Sequence, residues 1–208
     1  IIGIKPASRV TTVKPSGTTS CVVGTSSGIH AWHNDFYIRR MQCTKDDALY
    51  KYMAKYHPEL VTDMTLLPNS AVIEIPQRAP KSAILRKSET ALKMLKRVAR
   101  WNKDWVIAGH QSGMNTNNVS ATVSVKDNEW EKVGRWMWEN RNTFNGLAVL
   151  PYDGGSYTQA PFEDIDEKEF NKRYRKLTEL DLSKIKETDD NTTVAQELAC
   201  AGGSCEIL

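Results

Sequence analysis

The sequence predicts an α/β fold. Short β-branched runs alternate with runs whose apolar residues recur at helical spacing, and Gly, Pro and Asp punctuate the joints. No apolar run approaches the ~20 residues of a membrane span; the longest are pieces such as Gly146-Leu147-Ala148-Val149-Leu150. The 208 residues are 40% hydrophobic and 25% charged, ordinary globular values that need neither disulfides nor metal to hold a core. Collagen, coiled coil and wholesale disorder are excluded. A net charge of +3 suits a small anion and does not require a nucleic-acid partner. Four cysteines make no disulfide scaffold, so a reducing cytoplasm is the expected compartment. No signal or transit peptide opens the chain. Residue 1 is Ile, and Ile1-Ile2-Gly3-Ile4 reads like the interior of something longer, so the chain is expected to be a fragment.

In chain order, Val10-Thr11-Thr12-Val13 is a short β-branched strand. Lys14-Pro15-Ser16-Gly17-Thr18-Thr19-Ser20 breaks it, Cys21-Val22-Val23 suggests a short helix, and Gly24 and Gly28 punctuate a loop. Phe36 to Met41 reads as a strand. Thr44-Lys45-Asp46-Asp47 reads as a capping box for a helix carrying Leu49, Tyr52, Met53 and Tyr56, which Pro58 ends. Ala71 to Ile75 is a strand stopped by Pro76. Ser88-Glu89-Thr90 opens the clearest helix, with Leu92, Leu95, Val98 and Ala99 inward and Lys93, Lys96, Arg97 and Arg100 toward water. Val119 to Val125 alternates like a half-buried strand. Asp127 caps a helix carrying Trp130, Val133 and Met137, and residues 146–150 form a strand before the turn Asp153-Gly154-Gly155. Asp166 starts a helix with Phe170, Tyr174 and Leu177. From Asp181 the chain turns polar and reads as a flexible tail.

The 14–20 loop combines a turn-fixing Pro15, a Gly17 that lets backbone approach a ligand, and hydroxyls at Ser16, Thr18, Thr19 and Ser20. If a helix starts there, its free N–H groups suit a phosphate. It is no Walker sequence, and the alternative is an ordinary Ser/Thr-capped turn. Gly24-Thr25-Ser26-Ser27-Gly28 fits the nucleophile-elbow pattern, but no strand precedes it and no acid–histidine pair follows convincingly. His30 and His33 have i, i+3 spacing without completing ligands, so hydrogen-bonded histidines are the plainer reading; His110 is a loop histidine. The tryptophans Trp101, Trp105, Trp130 and Trp136 read as core rather than a cofactor box, with Trp138 at a surface or an interface. Cys200 and Cys205, with four residues between them, can meet as a small-loop disulfide. A metal site would want two more ligands, and a thiol pair on a mobile tail suits exchange. Two idle surface cysteines are the alternative.

Several motifs then resemble one family. Residues 11–20, Gly24-Thr25-Ser26-Ser27-Gly28-Ile29-His30, Tyr37-Ile38-Arg39-Arg40, residues 117–125, residues 150–157 and the terminal cysteine pair look like the C-terminal part of an adenosylcobalamin-dependent (class II) ribonucleotide reductase. The form most resembled is the monomeric ribonucleoside-triphosphate reductase.

The resemblance implies a ten-stranded α/β barrel, of which residues 1–180 would supply the last strands, with 181–208 a flexible redox tail. It implies that Pro15, Ser16, Gly17, Thr18, Thr19 and Ser20 hold the substrate phosphates. It implies that Cys200 and Cys205 re-reduce an active-site disulfide and are recharged by thioredoxin. The chemistry implied is 2′-deoxygenation of a ribonucleoside triphosphate through a cysteine thiyl formed by adenosylcobalamin homolysis, for DNA synthesis. About 20 residues of tail, extended, reach roughly 65 Å, and tethering raises the effective thiol concentration toward about a millimolar. The radical cysteine and its reducing partners would lie in the rest of the reductase chain. Cys21 and Cys43 do not sit in the family's catalytic cysteine context, and no cobalamin contact is assigned. The rival readings are a non-catalytic phosphate-ligand module with a redox-sensing tail, and a class II reductase using diphosphates.

Overall fold

The computed structural model of the chain describes residues 3, 4, 10–152 and 158–186. The turn expected at 153–155 and the pair Cys200 and Cys205 lie outside the described residues.

Strand β1 (Phe36–Thr44) is central to the larger sheet. Aromatic and β-branched residues at its start favour the pleated state. It pairs antiparallel with β3 (Ser70–Arg78), from Phe36↔Arg78 to Thr44↔Ser70. On its other flank lies β6 (Phe162–Asp164), again antiparallel, with Tyr37 opposite Asp164 and Arg39 opposite Phe162. The short β2 (Val61–Asp63) extends the sheet beyond β3. Pro76 does not stop β3 as expected; it pairs with Ile38. β2 reaches only as far as Ile73, so Pro76 sits where β3 has a strand on one flank alone, and a missing N–H is tolerated at such an edge.

The second sheet is the parallel pair β4 (Thr122–Val125) and β5 (Ala148–Pro151). The strand expected at 10–13 contracts to a single parallel bridge, Val13 to Val119, and Val10 is exposed. The mixture of helices and strands is as expected. By themselves the described strands form two separate sheets, one wholly antiparallel, and do not close a barrel.

Helix α1 (Thr19–Val22) is a single turn and starts earlier than expected. α2 (Ala48–Tyr56) is capped by Asp47, whose carboxylate accepts the Leu49 N–H at 2.7 Å. Thr44 cannot cap it, because Thr44 is still paired in β1. α3 (Ala91–Trp101) is capped by Thr90 and buries Ala91, Met94, Leu95 and Val98. These meet Val119, Ala121, Val123 and Val125 of the parallel layer and Val133 of α4 (Trp130–Glu139). Arg97 is not turned to water; it pairs with Glu89 and donates to the Ile29 carbonyl at 2.9 Å. Asp127 does not cap α4. Glu129 occupies that place, and its carboxylate instead takes the Ala91 and Lys126 N–H groups. Trp130 is exposed rather than core, whereas Trp136 and Met137 pack against the core. Beyond α3 the chain continues as a π-helical stretch, Asn102–Ile107, which leaves Trp101 and Trp105 exposed and edge to face at 6.1 Å.

A second cluster forms from Tyr52, Met53, Leu60 and Ile73 under α2. α5 (Glu167–Tyr174), capped by Asp166, buries Phe170. Residues 181–186, at the start of the stretch expected as a tail, are packed. The Asp181 N–H donates to the Tyr52 hydroxyl at 2.9 Å, Leu182–Lys184 forms a 3-10 turn, and Ile185 packs on the second cluster. Among the described residues no helix is long and apolar enough to cross a membrane.

Leu95, 0% exposed at the centre of the first cluster, gives a direct test of this packing. Leu95→Ala should cost about 2–5 kcal/mol, read as a lower urea midpoint with an unchanged slope; a loss under about 1 kcal/mol would contradict its place in the core.

Candidate phosphate-binding loop

Two peptide segments fold against each other to make the site. The Ser16 N–H donates to the Ser27 hydroxyl at 3.0 Å, and that hydroxyl donates to the Ser16 carbonyl at 2.9 Å. The Ser16 hydroxyl in turn accepts the Ser20 N–H at 3.0 Å. Gly28, at φ +56°, closes the arrangement from below: a Cβ there would lie 2.8 Å from the Lys14 carbonyl oxygen. Any larger residue would be strained in this conformation and would push the two segments apart.

Ser16 therefore uses its N–H, carbonyl and hydroxyl inside the protein, and Ser20, whose N–H goes to Ser16, is buried. Pro15 and Gly17 are half-buried, while Thr18 and Thr19 are exposed. The N–H groups of Gly17, Thr18 and Thr19 bond to no described residue. Three successive amides, two bearing side-chain hydroxyls, thus stand at the open end of the one-turn α1, which is a chemistry suited to anionic oxygens.

Beneath the loop lies Arg39 of β1, 2% exposed. It donates to the Gly17 carbonyl at 2.7 Å and to the Pro161 carbonyl at 3.1 Å, and its guanidinium sits 4.3 Å from the centre of the Phe162 ring. The Cys21 thiol is a further partner. On the opposite face of the strand, Arg40 is held between Glu74 and Glu163 and donates to the Ala160 carbonyl at 3.0 Å. Burial alone would lower the Arg40 pKa, but its two carboxylate hydrogen bonds raise it.

The histidines resolve as hydrogen-bonded groups. His30 Nδ1 lies 2.9 Å from the Ser27 carbonyl and its Nε2 accepts the Thr122 N–H at 3.0 Å. That pattern fixes the neutral Nδ1–H tautomer, and burial lowers its pKa. His33 stacks on Phe162 at 4.9 Å, meets Tyr37 edge-on at 5.6 Å, and places Nε2 3.0 Å from the Asp164 carboxylate. Burial drives Tyr37 up to about 12. His110 bonds the Gly113 carbonyl at 2.8 Å. Among the described residues no group of three His, Cys, Asp or Glu could hold a metal ion. The elbow pattern at 24–28 has no strand before it, and Ser27 is committed to Ser16. Cys21 is exposed and Cys43 half-buried, both free thiols.

Arg39 and Ser27 are the residues whose part in this site the sequence does not announce. Two arginines within an apolar strand are a visible signal of burial with partners, but the partners are remote: Pro161 lies 122 positions from Arg39.

The His33 environment predicts an acid-sensitive contribution to stability. Burial, together with Arg86 and Arg39, lowers its pKa from 6.5 to about 4, against the opposing pull of Asp164. Between those values the unfolded chain binds the extra proton, so stability present above about pH 6.5 is lost as pH falls toward 4. His33→Gln should flatten the fall in thermal midpoint across that window; identical pH profiles for the two proteins would contradict the assignment.

No family model matches the chain. Curated relatives do. An adenosylcobalamin-dependent ribonucleoside-triphosphate reductase from Lactobacillus helveticus is 30% identical over 99% of this chain and 27% of its own length. The enzymes of that name from Lactobacillus leichmannii and Euglena gracilis are each 27% identical, over 99% and 97% of this chain and 28% and 27% of their own lengths. The chain therefore spans little more than a quarter of the relatives it matches. Among solved structures, a crystal structure of a B12-dependent (class II) ribonucleotide reductase aligns with 83% of this chain and 23% of its own, at a TM-score of 0.61 and 22% identity. Over nearly its whole length, then, the chain is related to a segment of the adenosylcobalamin-dependent ribonucleoside-triphosphate reductases, and it shares the fold of part of a class II enzyme.

Proposed function

We propose that the chain is the C-terminal part of a cytoplasmic, adenosylcobalamin-dependent ribonucleoside-triphosphate reductase, and that residues 15–20 hold the substrate's phosphates. One observation carries the second half: Ser16 and the Ser20 N–H are engaged inside the protein, while the Gly17, Thr18 and Thr19 amides bond to no described residue and both threonines are exposed. Hydrogen bonds to a charged phosphate are roughly twice as strong as neutral ones. The loop would bind and orient the nucleotide's anionic end for groups elsewhere in the enzyme. Val13, β4 and β5 would be this chain's share of the reductase barrel.

Adenosylcobalamin supplies the initiating radical in this class of chemistry. The cleft lined by His30, Arg86, Glu89 and Ser124 offers about 70 Å³, too little for a corrin. No step through the cofactor is assigned to residues of this chain.

For reduction, Cys200 and Cys205 would act as the shuttle. Their two thiols pass two electrons and two protons to the active-site disulfide and become a disulfide themselves. Thioredoxin's dithiol then restores them by the same exchange.

Two measurements test these roles in a reductase containing this chain. Thr18→Ala and Thr19→Ala should each raise KM for the triphosphate by about 3- to 10-fold, the loss of one hydrogen bond to a charged group, with kcat within about twofold; unchanged KM in both would remove the loop from substrate binding. Cys200→Ser should abolish thioredoxin-driven turnover and leave much of the turnover driven by a small dithiol. Equal loss with both reductants would count against a shuttle.

A further inference from the structure

The outward amides of the loop do not orient themselves. No peptide bond among the described residues is cis, and in a trans peptide the carbonyl and the following N–H point in opposite directions. Whatever grips the carbonyl of Ser16 therefore aims the N–H of Gly17, and whatever grips the carbonyl of Gly17 aims the N–H of Thr18. Both carbonyls are gripped. The Ser27 hydroxyl donates to Ser16 at 2.9 Å, and the Arg39 guanidinium donates to Gly17 at 2.7 Å.

Each grip is anchored in a different sheet. Ser27 is held through its own carbonyl by His30, and His30 accepts the Thr122 N–H of β4. Arg39 belongs to β1 and is braced by the Pro161 carbonyl and the Phe162 ring at β6. Two adjacent peptide planes are thus clamped from the parallel and the antiparallel sheet respectively. The N–H groups of those two planes point away from the grips.

We propose that Ser27 and Arg39 are positioning residues for phosphate binding: each fixes one peptide plane so that the Gly17 and Thr18 amides are already aimed at an anionic phosphate before it arrives. Neither side chain need touch the ligand. The inference rests on the reading of residues 15–20 as the phosphate grip. Preorganised donors bind more tightly than mobile ones because the ordering cost is met in folding rather than in binding.

The test is an amide ¹H–¹⁵N titration, with inorganic triphosphate, of a selectively labelled reductase containing this chain. In the wild type the Gly17, Thr18 and Thr19 signals should move saturably. Ser27→Ala should weaken that binding about tenfold, the consequence of losing one such restraint, with the signals of β1, β3 and α3 unmoved. Ser27→Thr, which keeps the hydroxyl, should restore affinity to within about threefold. Arg39→Lys, which keeps the charge but not the fork that spans two carbonyls, should weaken binding while leaving Ser27-dependent effects intact. Wild-type affinity in both Ser27→Ala and Arg39→Lys, with the loop signals still responding, would overturn the positioning role and leave the phosphate reading standing. No response of Gly17 to Thr19 in the wild type would overturn both. Weak binding in Ser27→Ala that Ser27→Thr fails to restore would also overturn the positioning role, since it would make the effect one of shape rather than of the hydroxyl.

Discussion

A guanidinium buried to 2% exposure is the constraint around which this protein is arranged. Removing a charge from water costs several kcal/mol unless its donors are satisfied. Arg39 meets that demand with carbonyls from two distant segments, an aromatic face and a thiol. Because Gly17 and Pro161 must both come to it, the loop before α1 and the approach to β6 are drawn to one face of β1. Phe162, held by Arg39, also carries His33, which in turn stands beside Asp164.

The other face of β1 solves the same problem with opposite charges. Arg40 is flanked by Glu74 of β3 and Glu163 of β6, and Arg173 of α5 joins Glu74 and Glu169. Adjacent residues of a strand point to opposite faces, so two consecutive arginines clamp both sides of the sheet. The short β6, with only three residues paired, is held as much by these side chains as by its ladder. Such pairs contribute little as bare stabilisation, since replacement by apolar residues is often neutral. Their effect here is to specify which segments lie beside β1.

The candidate site joins this sheet to the parallel layer. His30 accepts the β4 amide of Thr122 and holds Ser27, which holds Ser16. A parallel layer built on Val119 to Val125 supplies the rigid base, being packed against α3 and α4 by aliphatic contacts. Rigid elements that hold a polar loop through hydrogen-bonded side chains are the usual way to fix binding groups within a fraction of an ångström. Glycine at 28 is needed for the same reason: backbone of the 14–15 segment rests where a side chain would be.

The periodic elements were legible in the amino-acid order because their signals are local. The apolar stripe of α3, the alternation through Val125, and the side-chain caps Thr90 and Asp166 each lie within a few residues of what they determine. Where competing local groups exist, the order alone misleads. Asp47 rather than Thr44 caps α2 because β1 claims Thr44, and the Glu129 carboxylate goes to the orphan Ala91 amide of α3 and the Lys126 amide. Pro76 reads as a breaker until the edge beside it is known, and Arg97 reads as solvent-facing until Glu89 and the Ile29 carbonyl arrive. The hydroxyl-rich loop was visible as a candidate for anions from residue types alone. Which of its groups face outward was not, because a peptide plane is turned by whatever grips its carbonyl, and the gripping atoms on Ser27 and Arg39 are 11 and 22 positions away. The helices, most of the strands and the chemical character of the loop follow from residue order; the antiparallel order of the main sheet and the direction of the loop's donors do not, since both depend on contacts between segments that no local pattern connects.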